Sequence, residues 1–153
     1  MVLTLGIPVE KGRALLGMKK RGFGSGRWNG FGGKVKDGET VAECLNRECR
    51  EEASIEIKDC EKAGEFRFVF PDEVFDVHLF LIKSYQGKPS ESEEMFPEWF
   101  EFERIPFDSM WPDDRIWFPY FLSGRKFKAV FEFLDHDRIK DWKITEVKRF
   151  PDA

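Results

Sequence analysis

Gly33-Lys34-Val35-Lys36-Asp37-Gly38-Glu39 leads through Thr40-Val41-Ala42-Glu43-Cys44-Leu45-Asn46 into Arg47-Glu48-Cys49-Arg50-Glu51-Glu52-Ala53. Thr40 and Glu43 have the spacing of a capping box, in which the threonine side chain accepts from the residue-43 amide and the glutamate reaches back. This predicts a helix over about 40–53. Val41, Leu45 and Cys49 recur every four residues and give it an apolar face. Glu48, Glu51 and Glu52 stand at i, i+3 and i+4, so they share a second face, where like charges repel. Two readings compete. The face is an ordinary charged one, partly paired by Arg47, which lies four residues from both Glu43 and Glu51. Or it is neutralised by a hard cation such as Mg²⁺, which takes one or two carboxylates, waters and phosphate oxygens. The glutamates alone divide evenly between these. Gly30, Gly32 and Gly33, just ahead of the helix, permit a bend and close backbone approach, and they favour the metal.

The rest of the chain sets bounds. Its 153 residues, 41% hydrophobic, fit one domain (1–153) with a real core. Aromatics reach 16%, as core filler or as a stacking surface for a flat ligand. A net charge of -4 with no basic run argues against binding a nucleic-acid polymer. Cys44, Cys49 and Cys60 do not make an even disulfide framework, which favours a reducing compartment. The opening MVLTLGIPVEKGR does not read as a signal peptide, and no 18-residue apolar run occurs. The expectation is a soluble, cytoplasmic monomer without membrane contact, with mitochondria and nucleus as further compartments.

Strands are expected over Val2–Val9 and Ala14–Lys20 around a turn at Glu10-Lys11-Gly12, then a glycine-rich stretch from Gly22 to Gly33. Gly64–Phe70 alternates, with Phe66, Phe68 and Phe70 on one side. Val74–Tyr85 and Met95–Glu103 follow. Pro112-Asp113-Asp114 opens a short helix with acids where the dipole favours them. Lys126–Leu134 and Trp142–Val147 close the chain as a hairpin. Strands with one central and one late helix imply an α+β or α/β layered sandwich.

Gly33, five residues, Glu39, seven residues, Arg47-Glu48, two residues, Glu51-Glu52 resembles the signature of the Nudix hydrolases, with Cys49 and Ile55 at hydrophobic positions. Ser54 stands where that signature has glycine, which puts the local turn geometry in question. Further likeness lies in Gly17–Gly33, Asp76-Val77-His78, Glu91–Met95 and Met110–Asp114. It extends over nearly the whole chain to the animal branch that acts on oxidised purine nucleoside triphosphates.

This resemblance implies a mixed β-sheet sandwiched between helices, and Mg²⁺ as cofactor with Mn²⁺ able to substitute. Glu48, Glu51, Glu52 and the Gly32 carbonyl would be metal ligands, with Glu94 as a further candidate. Arg47 would orient the glutamates, and Glu39 would support the loop. The general base is open between Glu52 and Glu94, although Glu94 by sequence is an ordinary solvated loop acid. The substrate is a small nucleotide, 8-oxo-dGTP or 2-hydroxy-dATP, cut to monophosphate and pyrophosphate. Asn29 would read the purine edge, although Trp28-Asn29-Gly30 also suits a plain turn. Asp113 and Asp114 would share a proton and present a donor and an acceptor, although both also suit helix capping. Trp111 would stack on the base, while Thr4, Lys19, Phe23, Phe68, Met95 and Trp117 line the pocket. On the residues alone Phe23 and Phe68 pass as core. Phe75 replaces the methionine of vertebrate members, after a loop two residues shorter, and is expected to reshape the pocket. Two alternatives stand beside this reading: a Nudix hydrolase for alkylated purine triphosphates or dinucleoside polyphosphates, and a catalytically silent nucleotide-binding module.

Overall fold

The computed structural model describes residues 1–151. The strands are β1 (Val2–Glu10), β2 (Arg13–Lys19), β3 (Trp28–Asn29), β4 (Glu56–Val69), β5 (Val74–Gln86), β6 (Met95–Glu101), β7 (Lys126–Asp135) and β8 (Arg138–Val147), with helices α1 (Val41–Ala53) and α2 (Asp114–Leu122). They run β3-β2-β1-β5-β4-β7-β8 across a mixed sheet, with β6 also paired to β2. The β1–β5 and β4–β7 pairs are parallel and the others antiparallel.

Strand alternation separates two cores. On β5, Phe75, Val77 and Leu79 join α2 residues Trp117, Phe118 and Phe121. Ile82 joins α1 residues Leu45, Cys49 and Ala53. One helix therefore covers each face of the sheet, as the layered-sandwich expectation required.

Several sequence-based bounds shift. β4 starts at Glu56, eight residues before the alternation at Gly64 becomes regular, because residues 56–63 pair with β5 through three register shifts. The strand expected to run to Glu103 ends at Glu101, followed by a 3₁₀ turn at Phe102–Arg104. β8 begins at Arg138, so the closing hairpin turns at His136-Asp137 rather than over a long loop. The second helix starts at Asp114. Among the described residues, no helix is long and apolar enough to cross a membrane.

The Thr40–Glu43 capping box forms in both directions, at 3.1 and 2.9 Å. Glu43 is thereby committed to the cap and does not pair with Arg47. Ser54 ends α1 at φ 61°, ψ 31°. This is the left-handed conformation that glycine adopts without strain.

Candidate active site

The glycines ahead of α1 are there because their backbone lies against β1. Phe31 and Gly6 exchange N–H···O bonds of 2.6 and 2.8 Å, and the Thr4 N–H donates to the Gly33 carbonyl at 2.9 Å. A Cβ on Gly32 would fall 1.9 Å from the Thr4 carbonyl oxygen, and one on Gly30 would fall 2.8 Å from that of Gly6. Both are backbone atoms that cannot step aside. Held this close, the strip brings the Gly32 N–H within 2.9 Å of Glu52 Oε1.

The α1 carboxylates are not equivalent. Arg47 grips Glu39 through two nitrogens, Nε at 2.6 Å and Nη2 at 2.9 Å. Its Nη1 donates to Glu48 at 2.7 Å and more weakly to Glu51 at 3.5 Å. Glu39 also accepts from the Lys36 N–H, and Arg47 holds its carboxyl down to about 2. Glu39 is expected to support the loop and Arg47 to orient the glutamates; these contacts are the ones such roles would use. Glu51 is exposed, whereas Glu52 is buried at 3% exposure. Burial, opposed by the Gly32 N–H, pushes the Glu52 carboxyl up to about 8.

Among the described residues, no three His, Cys, Asp or Glu side chains gather closely enough to enclose a metal ion. The donors nevertheless fit a hard cation that brings its own waters and phosphate oxygens. All are oxygens. Gly33 leaves room for the Glu48 carboxylate, which a Cβ there would meet at 2.6 Å. Glu52 opens into the cavity described next. Glu94 stands apart: Arg21 binds it at 2.8 and 3.0 Å and Lys19 at 3.2 Å.

A cavity of about 480 Å³ lies between the sheet and α2. Thr4, Lys19, Phe23, Asn29, Phe68, Phe75, Met95, Trp111, Asp113, Asp114 and Trp117 all line it, together with Gly32 and Glu52. Glu48, Glu51, Arg47 and Glu94 are not in its wall. Leu3, Leu5, Phe70, Glu73, Val77 and Phe133 also contribute and were not anticipated. The odd-numbered alternation of β1 could have identified Leu3 and Leu5. Glu73 sits in the β4–β5 turn and carried no signal. Phe23 is not core: it is 49% exposed and stacks on Trp111 with centroids 5.0 Å apart at 27°.

Asp113 and Asp114 are both 3% exposed. Neither side chain caps α2, so the capping explanation fails. Asp113 Oδ2 instead accepts from Trp117 Nε1 at 2.8 Å, and Asp114 Oδ2 has no protein partner. Burial pushes both carboxyls up, and for Asp114 the neighbouring Asp113 charge adds to it. Asn29 Oδ1 accepts from the Gly30 N–H at 2.9 Å, which fixes its amide plane at the cavity wall.

A family model of the NUDIX domain matches residues 2–121. A zebrafish (Danio rerio) protein described as oxidized purine nucleoside triphosphate hydrolase is 48% identical over 149 residues, covering 96% of each chain. A mouse (Mus musculus) protein of the same description has the same identity and coverage. The structure of a MutT protein from Bacillus halodurans matches with a TM-score of 0.83 at 25% identity, covering 94% of this chain and 96% of that one. The match takes in the glycine strip, the carboxylate helix and all of the cavity wall except Met1 and Phe133, and the chain belongs to the Nudix family.

Proposed function

We propose that the protein is a Mg²⁺-dependent hydrolase that cleaves oxidised purine nucleoside triphosphates to the monophosphate and pyrophosphate, with 8-oxo-dGTP foremost and 2-hydroxy-dATP as a further substrate. It would thereby keep damaged nucleotides out of DNA. The description of the zebrafish and mouse relatives supports the substrate class. The observation that carries the reading is the buried Asp113–Asp114 pair, with Asp114 Oδ2 unpartnered in a cavity that also holds Asn29 and Glu52. Two carboxyls sharing one proton offer a donor and an acceptor, and the Asn29 amide adds polar recognition. The aromatic walls of Phe23, Phe68, Trp111 and Trp117 suit a flat base.

Glu48, Glu51, Glu52 and the Gly32 carbonyl would hold the cation. Bound there, Mg²⁺ (or Mn²⁺ in its place) supplies charge neutralisation across the phosphate oxygens. Arg47 positions Glu48 and Glu51. With the cation favouring its ionised form, Glu52 would accept a proton from the attacking water through Oε2, while its Oε1 is held by the Gly32 N–H. Support for Glu52 over Glu94 as general base comes from its place in the cavity wall. Glu94 would have to give up Arg21 and Lys19 first, either for that role or as a metal ligand. We place the enzyme in the cytoplasm as a single-domain monomer, with mitochondria and nucleus as further compartments.

Phe75 favours a second reading. It is buried in the wall, 5.5 Å from Phe23 and 5.8 Å from Phe70, and could shape the pocket for an alkylated purine triphosphate or a dinucleoside polyphosphate. The test is Mg²⁺-dependent pyrophosphate release over normal, oxidised and alkylated nucleotides. Preferred release from oxidised purine triphosphates supports the proposal. Release from none of them contradicts it and leaves a silent nucleotide-binding module.

A further inference from the structure

Trp111 lies in irregular chain between a 3₁₀ turn at Phe107–Ser109 and α2, so no strand or helix ladder fixes its side chain. Its orientation comes from its neighbours: Phe23 stacks on the ring, Phe70, Phe133 and His136 meet it edge-on, and a cation lies over it. The Arg27 guanidinium carbon sits 4.2 Å from the Trp111 ring centroid. Arg27 Nη1 donates to the His136 carbonyl at 2.9 Å, and Nη2 donates to the Asp137 carboxylate. Both acceptors belong to the β7–β8 turn, more than a hundred residues away in sequence. A planar guanidinium with two of its donors fixed cannot turn without breaking a bond, so it holds its place over the indole. The Gly24 backbone packs against the same ring, where a Cβ would meet Trp111 Nε1 at 3.3 Å.

We propose that Arg27 and Asp137 form a positioning pair that fixes the indole plane of Trp111, on which a flat purine base stacks by taking the place of the Phe23 ring that covers it here. Neither residue is asked to touch the reacting phosphates. The role of the base rests on the proposed function, whereas the fixing of the indole does not. Losing the pair removes binding that is equal in ground and transition states, so KM rises while kcat holds. A purely structural role would lower stability and leave KM alone.

The test is ¹⁹F NMR of the full chain labelled with 5-fluorotryptophan, the Trp111 resonance being assigned by Trp111→Phe. Arg27→Ala and Asp137→Asn should each shift or broaden the Trp111 resonance and leave that of Trp142 in place. Asp137→Asn alters only an exposed turn residue, so it keeps the experiment readable if Arg27→Ala folds poorly. In kinetics both variants should raise KM for 8-oxo-dGTP by about three- to tenfold, the range of a partly exposed cation–π contact, with kcat within about twofold. The double variant should add little to Arg27→Ala, and Arg27→Lys should not restore KM. An unmoved Trp111 resonance in both single variants overturns the proposal, as does an unchanged KM in both with active wild type. A wild type that turns over no 8-oxo-dGTP contradicts the proposed function instead, and the resonance then decides the pair.

Discussion

Trp117 Nε1 donates to Asp113 Oδ2 at 2.8 Å across one turn of α2, with both residues buried. This bond occupies one oxygen of a carboxyl pair whose other member, Asp114, keeps Oδ2 unpartnered. An unpaired buried oxygen is costly in the free protein, and a ligand that supplies a hydrogen-bonding group there recovers the cost.

Asp114→Asn preserves the shape and removes the carboxyl that the proposed function has sharing a proton with Asp113. It should cost about 1–3 kcal/mol in kcat/KM for 8-oxo-dGTP, the usual effect of a lost buried polar contact. Asn29→Ala should cost a similar amount. In both cases steady-state comparison with dGTP should show a smaller loss, and an equal loss for every nucleotide would remove these residues from base reading.

Stability should fall as pH rises. The folded protein keeps protons on Glu52, up to about pH 8, and on the Asp113–Asp114 pair. The unfolded chain releases them near the ordinary values of about 4. Between those limits the folded state binds more protons, so this stabilisation is complete at acid pH and lost as pH climbs through the folded values. Denaturant midpoints measured without divalent cation should decline from about pH 5 to 8. Mg²⁺ should flatten the decline by favouring ionised Glu52. A midpoint that climbs over this range would contradict the burial-driven shifts.

Glu52→Gln keeps the Gly32 contact but cannot take a proton. Turnover should drop by about 10²–10⁴-fold, the span of a lost general base, with a much smaller change in nucleotide binding. Unchanged kcat would remove Glu52 from the chemistry.

Ser54 occupies the left-handed region at φ 61°, which costs a non-glycine residue about 1–2 kcal/mol. Ser54→Gly relieves that strain and gains about 0.4–1 kcal/mol of opposing chain entropy. The net expectation is a change between about zero and about 1.6 kcal/mol of stabilisation by chemical denaturation. A loss would mean that the serine side chain offsets its own strain.

The sequence was most informative where structure is local. The Thr40–Glu43 box, the α1 carboxylates and the Phe66–Phe70 alternation depend on neighbours within a few positions, and periodicity exposes them. The start of β4 was hidden because its bulges break the two-residue period. The cavity members Thr4, Lys19 and Met95 were placed through family resemblance, since nothing in their spacing reveals that β2 pairs Lys19 with Met95. Glu94 differs again: its solvated appearance gave no sign of the Arg21 and Lys19 pairs. Arg27 and Asp137 were not legible at all, since two charges 110 positions apart carry no mutual signal.

The most direct measurement is kcat/KM for 8-oxo-dGTP and for dGTP, each with saturating Mg²⁺. A clear preference for the oxidised nucleotide is expected if the buried Asp113–Asp114 pair and Asn29 read the base as proposed. A ratio near one would contradict oxidised-purine recognition, leaving general nucleotide hydrolysis.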